Sequence, residues 1–598
     1  MRSQRMRTAA AAIGAITLAL GLSSTAGAVT TLPAGYQYHP TPGTIYAPTA
    51  GELAQANKGN SVIYPKSAQL PSGRLVAAFE RSIGDPIGQT IPVYKSDDLG
   101  TSWQKLADVK PPAELSSDPK YAPYTSNWTN PYLYVMPTTV GTLQQGTLVL
   151  ASIVSGDDAY YREQKAADPT WTPTHDGDRR DIALALYAST DQGQTWQILN
   201  VIAKGGWEAN YGTTFSTANT YHQQDPVWEP YLMAYGGKLV AYYSDENDYS
   251  GYDAATGQLT LNPQNETGQA QPSGRNPNDT GGQILVHKTW DGQPGSTWSA
   301  PVVDVADSFT SGVGFTGRPG MTNVVPTTDG KWLLTAETGI AKVSSDPLRF
   351  WDAPSVSLPA HRGGSPVVIQ VPNPTDPTKW SLVLNDDSTG NDVYVNASGR
   401  SDGTWLRYQT PIGGGYSRAL QYVAQTGRIE VFRGTWGGSP ITHAEIDLGH
   451  SQGTYYTVVN RKTGQVLSTD ADKRQDANLT GDAPDIISWG NNPSNDTQRW
   501  HLTAKGSAVT FLNEAGGRAI GIWQGNASPG SRLAQWMDDG GNDKVWNLIK
   551  DADGFYRIQS TRNTGLYMTA PTAGGAVTVQ SASTTDPQAQ EWSLVATP

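Results

Sequence analysis

One hairpin-like unit recurs six times along most of this chain, and a repeat of that kind limits the possible folds more than any other feature. Each copy opens a strand near a proline, passes a turn rich in Gly, Thr and Asp, and enters a second apolar strand. The openings are Tyr64-Pro65, Asn130-Pro131, Glu229-Pro230, Arg318-Pro319, Ser365-Pro366 and Ser417-Arg418. The second strands start at Arg74, Thr147, Lys238, Lys331, Lys379 and Arg428. Proline is tolerated at the first residue of a strand and pushes the residue before it into extended geometry. Each opening is therefore expected to present one side chain at an equivalent place. Six such units over about 390 residues predict a six-bladed β-propeller, in which radial repetition leaves few open sheet edges.

Two segments, Ser96 to Trp103 and Ser189 to Trp196, match the pattern S-x-D-x-G-x-[TS]-W in full, and a degenerate copy runs from Thr289 to Trp298. These Asp boxes are hairpin turns. Asp98 or Asp191 is placed to bond the turn amides, the glycine permits positive φ, and the tryptophan packs beneath. Their role is structural, and they mark sialidase-type propeller blades.

After about residue 450 the repeat changes. Trp500, Trp546 and Trp592 stand 46 residues apart each time, inside Gln498-Arg-Trp, Lys544-Val-Trp and Gln590-Glu-Trp. The constant spacing assigns the three indoles to a core. The threefold Q-x-W ending resembles the ricin-type β-trefoil, or family 13 carbohydrate-binding module, with Lys544 departing from the pattern. The expected organisation is all-β: a signal peptide at 1–28, a propeller at 29–449 and a trefoil at 450–598.

The leader expectation rests on Arg2, Arg5 and Arg7, an apolar run over 9–22 and the Ala26-Gly27-Ala28 cleavage pattern. That run is shorter than a membrane span needs, so a secreted, extracellular protein is expected. The chain has no cysteine, which excludes disulfides, thiol chemistry and Cys-based metal sites. A net charge of −12 argues against nucleic acid or an anionic membrane as partner. With 64 Gly, 40 Pro, 19 Trp and 28 Tyr, the composition suits many short strands and rings that stack on sugar faces.

The innermost strands of a propeller converge on its axis, so Tyr64, Asn130, Glu229, Arg318, Ser365 and Ser417 are expected to rim one pocket. Glu229 lies in the apolar, aromatic Val-Trp-Glu-Pro-Tyr-Leu, a setting that raises a carboxyl pKa toward that of a general acid. Glu337 ends the apolar strand Trp332-Leu-Leu-Thr-Ala in the next unit, and glycoside hydrolysis generally needs two such carboxyls. The alternative for Glu337 is an ion pair with an arginine such as Arg318. Asp245-Glu-Asn-Asp248 and His175, Asp176 and Asp178 read as solvated polar loops.

The segments VWEPYL with KLVAYYSDE, RPGM with WLLTAE, and GYSRAL are similar to glycoside hydrolase family 93, the exo-α-L-1,5-arabinanases, over roughly residues 50 to 448. The resemblance implies a retaining enzyme that releases arabinobiose from the non-reducing end of linear arabinan. It further implies Glu229 as general acid/base and Glu337 as nucleophile, with no metal or cofactor. Tyr64, Trp128, Asn130, Asp245, Arg318, Tyr416 and Arg418 are the expected substrate contacts, and Arg318 is placed to keep Glu337 ionised. Residues 249–281 depart from the family pattern as an insert at the pocket mouth. The expected partner is a neutral plant cell-wall polysaccharide, and the expected state is a monomer. Two rivals remain: a sialidase, which needs Arg81, Arg318 and Arg418 to converge on one anion, and a lectin, which needs no paired carboxylates.

Overall fold

The computed structural model describes residues 32–54, 62–83, 88–115, 124–156, 166–170, 180–205, 226–247, 249–261, 282–306, 309–310, 314–315, 317–359, 366–373, 378–385, 390–469 and 483–597. The expected leader, His175, Asp176, Asp178, Asp248, Ser365 and most of the insert lie outside them.

Six antiparallel sheets follow one another along the chain. Blade 1 is built from Val62–Gln69, Leu75–Arg81, Ile91–Ser96 and Gln104–Val109. Blade 2 has Ser126–Val135, Leu148–Gly156, Arg180–Ser189 and Gln197–Lys204, and blade 3 has Val227–Tyr235, Lys238–Asp245, Ile284–Trp290 and Val302–Val305. Blade 4 shows three strands among the described residues, Asn323–Pro326, Trp332–Ala336 and Ile340–Ser344. Blade 5 has Val368–Pro372, Trp380–Asn385, Asp392–Asn396 and Leu406–Gln409. Blade 6 takes three strands from the end of the domain, Ser417–Val423, Arg428–Gly434 and Ile441–Ile446, and its fourth, Gly43–Tyr46, from the beginning. That exchange closes the ring and removes an edge that would otherwise be open to strand addition.

The middle strands are buried on both faces and so read as continuous apolar runs. Leu75 to Phe79 and Leu148 to Leu150 are almost wholly inaccessible. The clusters they form lie between blades, for example Val76 and Ala78 with Leu148, Leu150 and Tyr187. The turn at Asp98 works as its sequence suggests. Asp98 accepts from the Ser102 amide and hydroxyl and from Ser96, while the Ser96 hydroxyl accepts from the Gly100 amide. Asp191 repeats this with Ser189, Thr195 and Gly193. Leu99 and Gln192 join their following glycines in the left-handed region.

Twelve strands from Tyr455–Asn460 to Trp592–Ala596 form the second all-β unit, the ricin-type β-trefoil. Trp500, Trp546 and Trp592 are fully buried in one core. Each indole N–H donates to a carbonyl, those of Leu467, Ile520 and Met568, at 3.0–3.1 Å. The two units are in contact: Arg428 donates to Thr503 Oγ1 at 2.6 Å, Arg518 stacks on Tyr408, and Tyr38 packs with Leu512 and Ala519.

Candidate active site

The pre-proline positions do not adopt the extended geometry expected of them. Tyr64, Asn130 and Glu229 have φ of +56°, +46° and +57°. In each of the three strands the ladder register breaks there, between Ile63 and Lys66, Thr129 and Tyr132, and Trp228 and Tyr231. These are β-bulges, which turn a side chain off the sheet face, and the proline that follows has no N–H to lose from the ladder. A left-handed backbone at three non-glycine residues is strain of the kind that collects at functional sites.

The fourth member of the set is Met321, with φ +56°, and Arg318 is not the equivalent residue. Met321 stands the same eleven positions before Trp332 as Tyr64 does before Leu75, a spacing that distinguishes it from Arg318. Residues from all six blades line the axial pocket, among them Tyr64, Asn130, Glu229, Met321, Val367 and Leu420.

Glu229 reaches into this pocket, and its Oε2 accepts from Met321 N–H at 2.8 Å and from the Ser244 hydroxyl at 2.9 Å. Glu337 directly follows the strand Trp332–Ala336, and its Oε1 accepts from Tyr416 O–H at 2.9 Å. The hydroxyl of Tyr416, rather than Arg318, is therefore its direct partner. The Oε2 atoms of both glutamates lie 2.6 Å from the point where a Cβ on Gly320 would stand, so the two oxygens are at most 5.2 Å apart. Burial raises the pKa of both groups. For Glu337, burial and the charge of Glu229 push it up to about 8 against the opposing pull of Tyr416 and Arg318. Two like charges this close cannot both ionise easily, so the pair titrates as a unit and holds one proton near neutrality. Glu229 has two hydrogen-bond donors and the nearby charges of Arg318 and Lys66, whereas Glu337 has one donor and Arg318. Glu229 is also the more deeply enclosed of the two, so the proton belongs to the pair.

Arg318 is held beside the pair by Glu246 Oε1 at 2.6 Å and Gln283 Oε1 at 3.2 Å, and Glu246 also accepts from Trp228 Nε1 at 2.8 Å. Lys66 lines the pocket, and burial lowers its pKa to about 8. Tyr64 and Tyr416 are in ring contact with each other and with Trp436, whose indole is 41% exposed. Ser244, Lys66, Gly320, Met321 and Trp436 had no role assigned from the sequence, and Glu246, expected in a solvated loop, is instead buried and holds Arg318. Glu246 alone had a signal, as a carboxylate one residue beyond an apolar strand.

Three expected contacts face elsewhere. Trp128 is buried in the core between blades 2 and 3 against Trp228. Asp245 is enclosed, accepting from Tyr249 O–H and from the Asn247 amide and side chain. Arg418 is fully buried and donates to the Asp392 carbonyl and Thr410 Oγ1 of the neighbouring blade, because strand alternation turns it away from the axis. Ser417 is likewise buried within its strand. Arg81 pairs with Glu52 and Tyr46. Arg81, Arg318 and Arg418 thus have three separate sets of partners, and the three-arginine anion site of the sialidase alternative is not formed. On the far side of blade 6, His39, Glu430 and His443 bring donor atoms within 4.8 Å of one another, but the Glu430 carboxylate is shared between the two imidazoles as a buried hydrogen-bonded cluster.

The ricin-type beta-trefoil lectin domain-like family matches residues 445–536. No curated protein matches the chain. Among solved structures, a Penicillium chrysogenum α-L-arabinanase complexed with arabinobiose is 23% identical, with 68% of this chain and 98% of that chain covered and a TM-score of 0.48. A GH93 α-L-arabinofuranosidase of Fusarium graminearum with arabinobiose is 19% identical over 69% and 99%, with a TM-score of 0.49. A ricin B-like lectin of Macrolepiota procera in complex with lactose is 23% identical over 24% and 96%, with a TM-score of 0.20.

Proposed function

We propose that this chain is a secreted, retaining exo-α-L-1,5-arabinanase whose catalytic pair is Glu229 and Glu337 and whose trefoil holds it on cell-wall polysaccharide. The observation that carries the proposal is the convergence of two carboxylate oxygens to within 5.2 Å at the axial pocket. A separation of at most 5.2 Å is compatible with the roughly 5–5.5 Å used for double displacement and is shorter than the roughly 6.5–9.5 Å at which an inverting pair leaves room for a water. A lectin has no use for such a pair. The substrate and the arabinobiose product rest on the motif resemblance to family 93.

The two donors on Glu229, against one on Glu337, favour Glu337 as acid and Glu229 as nucleophile, the reverse of the roles that the motifs imply. Glu229 then attacks the anomeric carbon while Glu337 protonates the departing oxygen, and Glu337 next takes a proton from the water that releases the sugar. Met321 N–H and Ser244 favour the ionised form of the attacking carboxylate against its burial and aim it. Arg318, fixed by Glu246 and Gln283, is placed to donate to sugar hydroxyls, as is Asn130. No metal or cofactor enters the scheme, and the enzyme works as a monomer.

The test is product analysis on linear debranched arabinan with the wild type, Glu229→Ala and Glu337→Ala. The wild type is expected to release arabinobiose, and both variants are expected to lose at least ~1000-fold in kcat. Added azide separates the roles: the acid/base variant is rescued to a glycosyl azide of retained configuration, and the nucleophile variant to the inverted one. Activity persisting in either variant sinks the pair, and absence of release from arabinan sinks the substrate.

A further inference from the structure

We infer that the peptide group joining Gly320 to Met321 is the strut that sets the distance between the two glutamates, and that residue 320 must be glycine for the pair to meet. This inference rests on the proposed catalytic pair and names a positioning residue for it. The Gly320 carbonyl accepts from the Glu337 backbone N–H at 2.8 Å, and the Met321 N–H of the same peptide donates to Glu229 Oε2 at 2.8 Å. One planar, rigid unit therefore holds one glutamate by its main chain and the other by its carboxylate. The strut is itself anchored, because Gln283 donates to the Gly317 carbonyl from its amide and to the Pro319 carbonyl from its side chain, each at 2.7 Å.

A Cβ on Gly320 would stand 2.6 Å from both carboxylate oxygens, closer than van der Waals contact allows. Its φ lies outside the left-handed region, so alanine meets no backbone penalty there. The atoms in the way are the ends of flexible side chains. A methyl group is thus accommodated by splaying the carboxylates apart and leaves the blade folded. The third close atom is Gln283 Nε2 at 3.3 Å, and the charged and titratable neighbours of the pair are Arg318, Lys66, Tyr416, Tyr64 and Glu246.

The decisive variant is Gly320→Ala in the full chain, measured three ways. Its kcat on debranched arabinan is expected to fall at least ~100-fold, the effect of about 1 Å of misplacement. Its cooperative melting is expected to match the wild type. Direct NMR titration of 13C-labelled glutamates is expected to show the Glu337 pKa lowered by roughly one unit as the repulsion from Glu229 weakens. Should Gly320→Ala fail to melt cooperatively, Gln283→Ala replaces it: loosening the anchor without adding an atom near the pair shifts the titration the same way by less. Unchanged titration together with kcat within threefold of the wild type overturns the strut. If the wild type cleaves no arabinan, the functional proposal falls, and the titration alone still decides the strut.

Discussion

The propeller and the trefoil both repeat one position per unit, but they use the repetition in opposite ways. In the trefoil, Trp500, Trp546 and Trp592 are identical, fully buried, and each bonded to a carbonyl in the same manner. In the propeller, Tyr64, Asn130, Glu229 and Met321 share a left-handed backbone and differ in chemistry. Where a repeat keeps its residue, every copy performs one packing task. Where it keeps a strained conformation and varies the residue, the fold is delivering different groups to one place. The three tryptophans sit in ordinary strands, whereas the four propeller residues sit in backbone that only the surrounding sheet keeps in place.

The sharpest way to break this contrast is to damage a tryptophan. Trp546→Ala leaves a large cavity in the trefoil core, a loss of about 3–5 kcal/mol for an aromatic residue. A separate low-temperature unfolding step for the trefoil is expected in calorimetry, together with loss of adsorption to insoluble polysaccharide and near-normal turnover of a small soluble substrate. Equal loss of small-substrate turnover would show that the contacts through Arg428, Arg518 and Tyr38 make the two units interdependent.

The contrast also explains what the sequence could reveal. The six second strands are legible because burial on both faces leaves unbroken apolar runs such as Leu75 to Phe79, and the tryptophan spacing is legible because every copy is the same. The direction of individual side chains at the axis is not. A proline after Tyr64, Asn130 and Glu229 signals extended backbone, yet the sheet imposes a bulge that local preference opposes. Arg318 precedes a proline but lies three residues before the true counterpart, Met321. Arg418 and Asp245 carry the right chemistry on strands whose alternation turns them inward, and no local pattern states which face of a strand meets the axis. Glu229 and Glu337 were visible because each ends or interrupts an apolar run that has no packing use for a carboxylate.

The buried pair at the axis carries a pH signature of its own. The Glu337 pKa is raised in the folded state, so the native protein holds that proton more tightly than the unfolded chain does. The corresponding stability is fully present below about pH 4.5 and is lost as pH rises through about 8. Glu337→Gln removes this dependence, and its melting temperature is expected to match the wild type near pH 4.5 and exceed it above pH 8. Catalysis follows the same proton: with Glu337 as acid, kcat/KM declines above about pH 8. Tyr416→Phe removes the hydroxyl that lowers this pKa. The basic limb is expected to move upward by roughly one unit, with kcat reduced about tenfold, the worth of one hydrogen bond to a charged group. A basic limb that moves down in Tyr416→Phe would mean that the tyrosine serves the protonated form.

The smallest expected effect belongs to Lys544, the one departure from identity in the trefoil set. Gln498 and Gln590 bond backbone carbonyls of Gly490 and Ser581 from the same place in their repeats. Lys544 is as deeply placed and ends on carboxylates, Asp539 Oδ1 at 2.9 Å and Asp543 Oδ2 at 3.2 Å. Those two carboxylates turn an otherwise costly buried ammonium into a satisfied one, and together they raise its pKa. Lys544→Gln restores the pattern and leaves Asp539 and Asp543 to solvent, so thermal unfolding is expected to change by no more than about 1 kcal/mol. Lys544→Met keeps the stem and removes every polar partner, and it should cost more than Lys544→Gln. If the two variants are equally stable, the position is tolerated for its volume alone. The identity of the trefoil repeats would then reside in their tryptophans and not in the residue two places before each.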